Sequence, residues 1–567
     1  MTNFSNLAVV CRKISKLTSK KRMIKEFSDF ISKLNPEDVR RSILIISGRV
    51  FPPGEDRSLG VSWGLIWKAL KEISGLSDSE LYNIVSGSVD IGEAARRVVA
   101  SSKRRLTTLI TPKPLTIGEV HEIFKKLSLL EGEGSQRNKR LLLVELFSRA
   151  SPDEAEIIAK SLVGEVRIGF HEGLMVEAVS KAFEIPVELV REKTMATGDL
   201  SYVAYIAATA GLKGVSNITV GLYRPLKPML ASDVHSIQEA LRKAKGEKLA
   251  FEYKFDGARV QIHVGEEGVR IYSRRLKDVT ESLPDVVKQV KEGLSRDVEC
   301  ILDGEAVAIG SDGRPLPFQH VMRRFGREKE ITKLLLEIPM KLHVFDILYF
   351  NGKDLTNAPY IERRELLEKV YNGELAEKII SSDIPTIQSF LKRSVTLGYE
   401  GLMAKRVGSP YRAGSRGYMW MKIKPTLPHL DLVIVAADRG YGRRHKWLSN
   451  YHLAARDEET GRFLVVGKTF KGLTDEEFEQ MTRKLLEIEV GRFGYTVKVK
   501  PEIVVEVAYN EIQKSPHYKS GYALRFARIV AIRWDKTAEE ADTIKKIERI
   551  YLDQFKYKSK DALERYQ

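Results

Sequence analysis

Apolar and polar positions change their period twice along the chain. Up to about residue 215 the repeat is helical: in "IGEVHEIFKKLSLL" Ile117, Val120, Ile123, Phe124, Leu127 and Leu130 fall on one face. Thr116 with Glu119 makes a capping box at the start of that helix. In "SPDEAEIIAKSLV" Ser151 is the cap, Pro152 takes the first helical position and Glu154 closes a second box. "LYRPLKPMLAS", residues 222–232, carries two prolines in an extended stretch and reads as a linker. After it come strand-like runs, "FEYKF", "ARVQIHV", "VRIYS", "ILDGEAVAI" and "KLHVFDILYF". Beyond Pro425 the pattern is strand-rich around one helix capped at Thr474. The expectation is a multidomain chain: all-α over 1–222, α/β over 223–425, and a small C-terminal β-barrel of the OB type over 426–567.

One stretch invites a closer reading. In "FEYKFDGARVQIHV" the apolar set switches parity after Asp256-Gly257, the pattern of two half-buried strands joined by a two-residue turn. That register puts Phe255 opposite Ala258, and Lys254 opposite Arg259. Like charges across a strand pair are mildly destabilising. They would also lower the proton affinity of Lys254, which matters because a lysine near pKa 10.4 is free amine only about one time in a thousand at neutral pH.

Composition narrows the class. At 567 residues the chain exceeds one ordinary core, and roughly 150 residues per domain suggests three or four units. No run approaches the roughly 18 apolar residues of a membrane span, and the opening "MTNFSNLAVVCRKISK" is too short in apolar core for a secretory signal. The expected compartment is the cytoplasm. Two cysteines, Cys11 and Cys300, exclude a disulfide framework and any four-cysteine zinc module. With 93 Lys plus Arg against 76 Asp plus Glu, the net charge of +17 favours a polyanionic partner. Heavy use of both charge signs also fits a thermophile. Glycine-bearing loops "EGEGSQRNKR" (131–140) and "VRIGFHEG" (166–173) would let backbone amides approach phosphates that Arg137, Lys139, Arg140 and Arg167 neutralise.

Lys-x-Asp-Gly recurs by chance in roughly one chain in ten of this length, so the motif needs company. It has it: "YSRRLKD" (272–278), "LDGEAVA" (302–308), "HVFDILYFNG" (343–352), "EGLMAKR" (400–406), "WMKIKP" (420–425) and "LRFARIVAIRWDK" (524–536) follow in order. The series resembles the motifs of the covalent nucleotidyltransferase superfamily and, within it, the ATP-dependent DNA ligases of the archaeal and eukaryotic replicative type. The resemblance spans the chain. An NAD-dependent ligase is disfavoured because those carry a four-cysteine zinc module.

The resemblance implies an N-terminal DNA-binding domain, a central adenylation domain and a C-terminal OB-fold that closes as a lid. It implies that Lys254 attacks the α-phosphorus of ATP to form lysyl-AMP. Glu252 would read the adenine amino group, Phe345 would stack on the base, and Arg259 and Arg274 would hold the ribose and nearby oxygens. Glu305 and Glu400 would face the sugar or Mg²⁺, with Mn²⁺ able to substitute. Arg416, Lys422 and Lys424 would carry phosphate charge. Arg525, Arg528, Asp535 and Lys536 match the lid motif, although the family pattern has proline at Ala527 and a polar residue at Trp534. The implied partner is nicked duplex DNA, sealed through lysyl-AMP and DNA-adenylate by a monomer. "ASSKRRLTTLITPKP", Ala100 to Pro114, stands where similar archaeal enzymes carry a sliding-clamp loop, but without the usual glutamine and paired aromatics it reads better as a plain basic linker than as a clamp contact.

Overall fold

A computed structural model describes residues 2–55, 57–102, 113–295, 297–327, 331–425, 427–440, 444–559 and 561. Most of the segment considered for a sliding clamp, 103–112, lies outside them.

Among the described residues the N-terminal region is all helix, from Phe4–Lys16 to Leu200–Ser216. Both capping boxes read from the sequence form. Thr116 caps Ile117–Leu129 with Glu119, and Ser151 caps Pro152–Leu162 with Glu154. The apolar face of the first of these helices, from Ile117 to Leu127, joins one core with Phe4, Phe27, Ile43 and Phe147.

The central region is built on two five-stranded sheets. One has the order β1 (Leu230–Val234), β10 (Arg416–Ile423), β9 (Gly401–Arg406), β2 (Leu249–Lys254), β8 (Lys378–Ile380). The other runs β4 (Gly268–Ser273), β3 (Ala258–Gly265), β5 (Cys300–Ala308), β6 (Met340–Phe350), β7 (Lys353–Asp354). The expected hairpin therefore does not exist: β2 and β3 belong to different sheets. β2 pairs with β9, setting Lys254 against Gly401, and β3 pairs with β5, setting Arg259 against Glu305. Phe251, Tyr253 and Phe255 pack in one core and Val260 and Ile262 in another. Alternation fixes which side of a strand is apolar but not which strand it meets, so both arrangements satisfy the pattern. Gly257 belongs to the crossing, not to a turn: a Cβ there would lie 2.4 Å from the Ala306 carbonyl oxygen of β5.

The C-terminal region holds a seven-stranded sheet made of β11 (Leu430–Arg439), β12 (Leu448–Arg456), β13 (Phe463–Thr469), β14 (Glu489–Phe493), β15 (Thr496–Val499), β16 (Val504–Ala508) and β19 (Arg528–Ile532). β17 (Glu511–Lys514) and β18 (Tyr522–Arg525) form a separate pair. The helix Asp475–Glu487 carries the expected cap, a box between Thr474 and Glu477. Strands folded round a core of Leu432, Tyr451, Phe478 and Val505 give the OB-type barrel.

Both flanking regions touch the central one. Lys558 Nζ reaches Asp256 Oδ2 at 3.0 Å. On the helical side the Arg224 guanidinium lies 3.8 Å from the centre of the Tyr202 ring, and Lys227 pairs with Glu172.

Candidate active site

Where the two central sheets meet, a cavity of 410 Å³ opens. β2 supplies Glu252 and Lys254, β3 supplies Arg259, β5 supplies Glu305 and β6 supplies Phe345. Glu400 stands before β9. Arg416 and Lys422 come from β10, Lys424 follows it, and Arg274 follows β4. Every residue expected to serve the nucleotide or a metal thus lines this one cavity. The lid residues Arg525, Arg528, Asp535 and Lys536 do not. Asp535 pairs with Arg533 at 2.7 Å and Lys536 with Asp431 at 2.5 Å, both inside the C-terminal region. Phe526, at a left-handed φ of 55°, lines the cavity in their place.

The electrostatics around Lys254 depart from the hairpin expectation. Arg259 does not confront it, being turned into a bidentate pair with Asp303, Nε to Oδ1 at 2.9 Å and Nη2 to Oδ2 at 2.6 Å. Lys254 instead pairs with Glu400. Burial pushes the Lys254 ammonium down, but the negative charge of Glu400 and Glu305 outweighs it and the net shift is upward. In the free protein Lys254 is a guarded ammonium. Glu400 also holds Lys424; burial works to raise its carboxyl, and the two lysines overcome that and hold it at about 2. Glu305 behaves oppositely: burial, helped by Asp303 and Glu400, pushes it to about 7 against the pull of Lys254 and Arg259.

Glu252 is buried, with one oxygen accepting from the Tyr360 hydroxyl at 2.5 Å and from Arg364 at 3.3 Å. Its other oxygen stands 2.5 Å from Lys405 Nζ, off the hydrogen-bond direction. Burial lowers the Lys405 ammonium despite that carboxylate. The Phe345 ring meets Trp420 edge-on at 6.2 Å, and Lys405 Nζ lies 4.6 Å from its centre. An aromatic face, a carboxylate acceptor and a cation within one wall suit a planar base with an exocyclic amine.

Two carboxylates, Glu305 and Glu400, line the cavity near Lys254, and the first is short of positive charge. Such oxygens fit a hard divalent ion whose remaining ligands are phosphate oxygens and water. The cations Arg274, Arg416, Lys422 and Lys424 line the same cavity. Lys422 is lightly held by Asp233 at 3.1 Å.

Sequence reasoning missed Asp303, Tyr360, Lys405, Tyr411, Trp420, Phe318 and Phe526. Asp303, Lys405, Trp420 and Phe526 lie inside motifs already quoted and could have been weighed there. Tyr360 and Tyr411 act on partners more than 100 positions away, and no local signal marks them.

The first stretch expected to meet DNA as a loop is a loop only up to Gly134: Arg137, Lys139 and Arg140 stand on the helix Ser135–Arg149, and the candidate DNA contacts divide. Arg137 and Arg140 line a 610 Å³ cleft with Lys68 and Lys71, Arg140 being paired with Glu72 at 2.7 Å. Arg167 is exposed. Lys139 points inward: it is buried and donates to the Leu59 carbonyl at 2.8 Å.

A lysine among carboxylates and further cations, beside an aromatic wall between two sheets, is an arrangement that suits covalent nucleotidyl transfer. Comparison with known proteins narrows that class. Residues 228–424 match the ATP dependent DNA ligase domain, 3–180 the DNA ligase N terminus, and 444–536 the ATP dependent DNA ligase C terminal region. DNA ligase 1 of Korarchaeum cryptofilum is 45% identical over 552 residues, 97% of this chain and 98% of its own. The DNA ligase of Archaeoglobus fulgidus is 39% identical over 560 residues, covering 98% and 99%. The solved structure Pmar-Lig_PreS3, 16% identical, shares the fold with a TM-score of 0.53 over 93% of this chain and 99% of that one. The chain belongs to the ATP-dependent DNA ligases.

Proposed function

We propose that Lys254 is the nucleophile of the ligase reaction and that the cavity around it divides the labour as follows. Glu252 and Phe345 take the adenine, and Arg259 and Arg274 the ribose side. Arg416, Lys422 and Lys424 take the phosphates. The observation that carries this reading is the position of the Lys254 ammonium, shared with Glu400 and Glu305 inside a cavity that Arg274, Arg416, Lys422 and Lys424 also line.

Mg²⁺ held by Glu305 and Glu400 would supply neutralisation of triphosphate charge. As Glu400 and Glu305 turn from Lys254, burial outweighs the remaining pull of Asp256 and the ammonium gives its proton to solvent, leaving the free amine. The Nζ lone pair then forms a bond to the α-phosphorus while the bond to pyrophosphate breaks. The 5′-phosphate of a nick next displaces Lys254 from the adenylyl group. The adjacent 3′-hydroxyl then attacks that activated phosphate and releases AMP. Positioning and charge do most of this work.

DNA would be held through its phosphates, with little sequence preference and steep salt dependence. The cleft of Lys68, Lys71, Arg137 and Arg140, together with Arg167, supplies the cations. Asp535 and Lys536 would act only after the C-terminal region shifts against the central one. We take the enzyme to work in the cytoplasm as a monomer, with residues 100–114 as the segment a sliding clamp would meet.

Incubation with α-labelled ATP and Mg²⁺ should give a covalent adduct that Lys254→Ala lacks. An adduct that survives the substitution would sink the assignment. Chasing the adduct with nicked DNA should release the label as AMP.

A further inference from the structure

Arg259 has five N–H donors. Nε and one Nη2 hydrogen go to Asp303, another Nη2 hydrogen to the Tyr411 hydroxyl at 3.1 Å, and one Nη1 hydrogen to the Met229 carbonyl at 2.5 Å. One N–H remains, on a guanidinium that lines the nucleotide cavity. Where it points depends on what fixes the rest.

Tyr411 is that fixture. Its ring is buried, meeting Trp420 edge-on at 5.6 Å and 84°. Its hydroxyl is fully used: it donates to Asp303 Oδ2 at 2.9 Å and accepts from Arg259 and from the Met229 N–H at 3.0 Å. One oxygen therefore ties together the arginine, its carboxylate partner and the backbone of Met229. That backbone belongs to the segment leading from the helical region into the central one. Lys227 donates its N–H to the Met195 carbonyl at 3.0 Å on the helical side, and Leu230 and Ala231 line the cavity on the other.

We propose that Tyr411 is a positioning residue for nucleotide binding. Its hydroxyl sets the rotation of the Arg259 guanidinium, so that the last free N–H is presented to the bound nucleotide, and it links that orientation to the seating of residues 227–231. The inference rests on the reading of Arg259 as a nucleotide contact. Arg259 and Asp303 turn as one bidentate pair, and the hydroxyl, bonded to both and to the Met229 N–H, fixes how that pair sits against the neighbouring chain. In a low-dielectric wall such a network holds a charged donor within the narrow range of angles that a hydrogen bond tolerates.

The test is Tyr411→Phe, which keeps the ring against Trp420 and removes only the hydroxyl. Adduct formation with ATP should show a KM raised about tenfold with kcat within about twofold, because binding and not chemistry is disturbed. Arg259→Gln should raise KM on its own, and adding Tyr411→Phe to it should raise KM no further. A Tyr411→Phe enzyme with unchanged KM, or a KM rise that persists undiminished in the Arg259→Gln background, would overturn the proposal. An Arg259→Gln enzyme with unchanged KM would instead overturn the reading of Arg259. Thermal unfolding checks that each variant is folded. If Tyr411→Phe is not, trifluorotyrosine at position 411 keeps ring and hydroxyl while weakening the oxygen as an acceptor. It should raise KM by a smaller factor, and no rise would again count against the proposal.

Discussion

Lys254 and Arg259 lie in one short run of sequence, yet their surroundings treat the two cations in opposite ways. Arg259 is locked: bidentate on Asp303, capped by Tyr411 and Met229, with one donor to spare. Lys254 is only detained. Its carboxylate partner Glu400 is shared with Lys424, and the second nearby carboxylate, Glu305, titrates near 7. A bidentate ion pair braced by further hydrogen bonds makes a fixed recognition element. A carboxylate divided between two ammonium groups is a contact that a polyphosphate and a divalent ion can take apart. The same burial that would cripple an isolated charge becomes the force that frees the amine once the carboxylates turn away.

The sharpest way to break this contrast is Lys254→Arg. A guanidinium would sit against Glu400 at least as well as the ammonium, so thermal stability should hold. It cannot give up its proton in the working range, so adduct formation with labelled ATP should fall by a factor of at least about 1,000. An arginine variant with substantial adduct would show that the detained proton is not the controlling feature.

Glu252 belongs with the locked type, and Lys405→Met tests how firmly. Both side chains are almost fully buried, 2% exposed for Glu252 and 1% for Lys405. Removing the cation leaves Glu252 with Tyr360 and Arg364 only. Loss of stability of about 3 kcal/mol is expected in urea unfolding, short of the full cost of an abandoned buried charge because two donors remain. A neutral result would mean that Lys405, whose ammonium burial already disfavours, contributes to the nucleotide and not to the fold.

Glu305 sharpens the comparison on the other side. Its carboxyl is raised in the folded protein from an ordinary 4.5 to about 7, so the native state binds the extra proton between those values. Its contribution to stability is therefore complete below pH 4.5 and is lost as pH rises through 7. Glu305→Gln should make the nucleotide-free, metal-free protein more stable at pH 8 by about 2 kcal/mol, with little change at pH 4.5. The same variant should form adduct poorly. A wild-type stability that does not decline from pH 5 to pH 8 relative to the variant would refute the assignment of that proton to Glu305.

Much of this was legible in the sequence, and the part that was not has a common cause. Helix starts could be read because Thr116, Ser151 and Thr474 each cap within three residues. The cavity residues could be named because the motif order resembles a family. The partner of β2 could not. Alternation around Asp256-Gly257 fits a hairpin as well as it fits two strands leaving for different sheets, and only the residues of β9 and β5, far along the chain, decide between them. The inference that Arg259 lowers the proton affinity of Lys254 fell with that register. The roles of Asp303, Tyr411 and Glu400 as the true partners are long-range facts of the same kind.

The smallest expected effect comes from the start of the helix Ser135–Arg149, where the contrast between held and available cations recurs two residues apart. Lys139 is spent on the Leu59 carbonyl inside the helical region, while Arg137 lines an open cleft with Lys68 and Lys71. Arg137→Ala should weaken nicked-duplex binding by about 0.5–1 kcal/mol and make the plot of log affinity against log salt shallower by about 1, whatever the DNA sequence. Lys139→Met should leave that slope unchanged, since no phosphate contact is lost, and should register in thermal unfolding through the unanswered Leu59 carbonyl. Fluorescence anisotropy across a salt series reads the first and a melting curve the second. If Lys139→Met flattens the salt dependence as much as Arg137→Ala does, the inward position of its ammonium does not describe the DNA-bound enzyme, and the helical region must rearrange to grip its substrate.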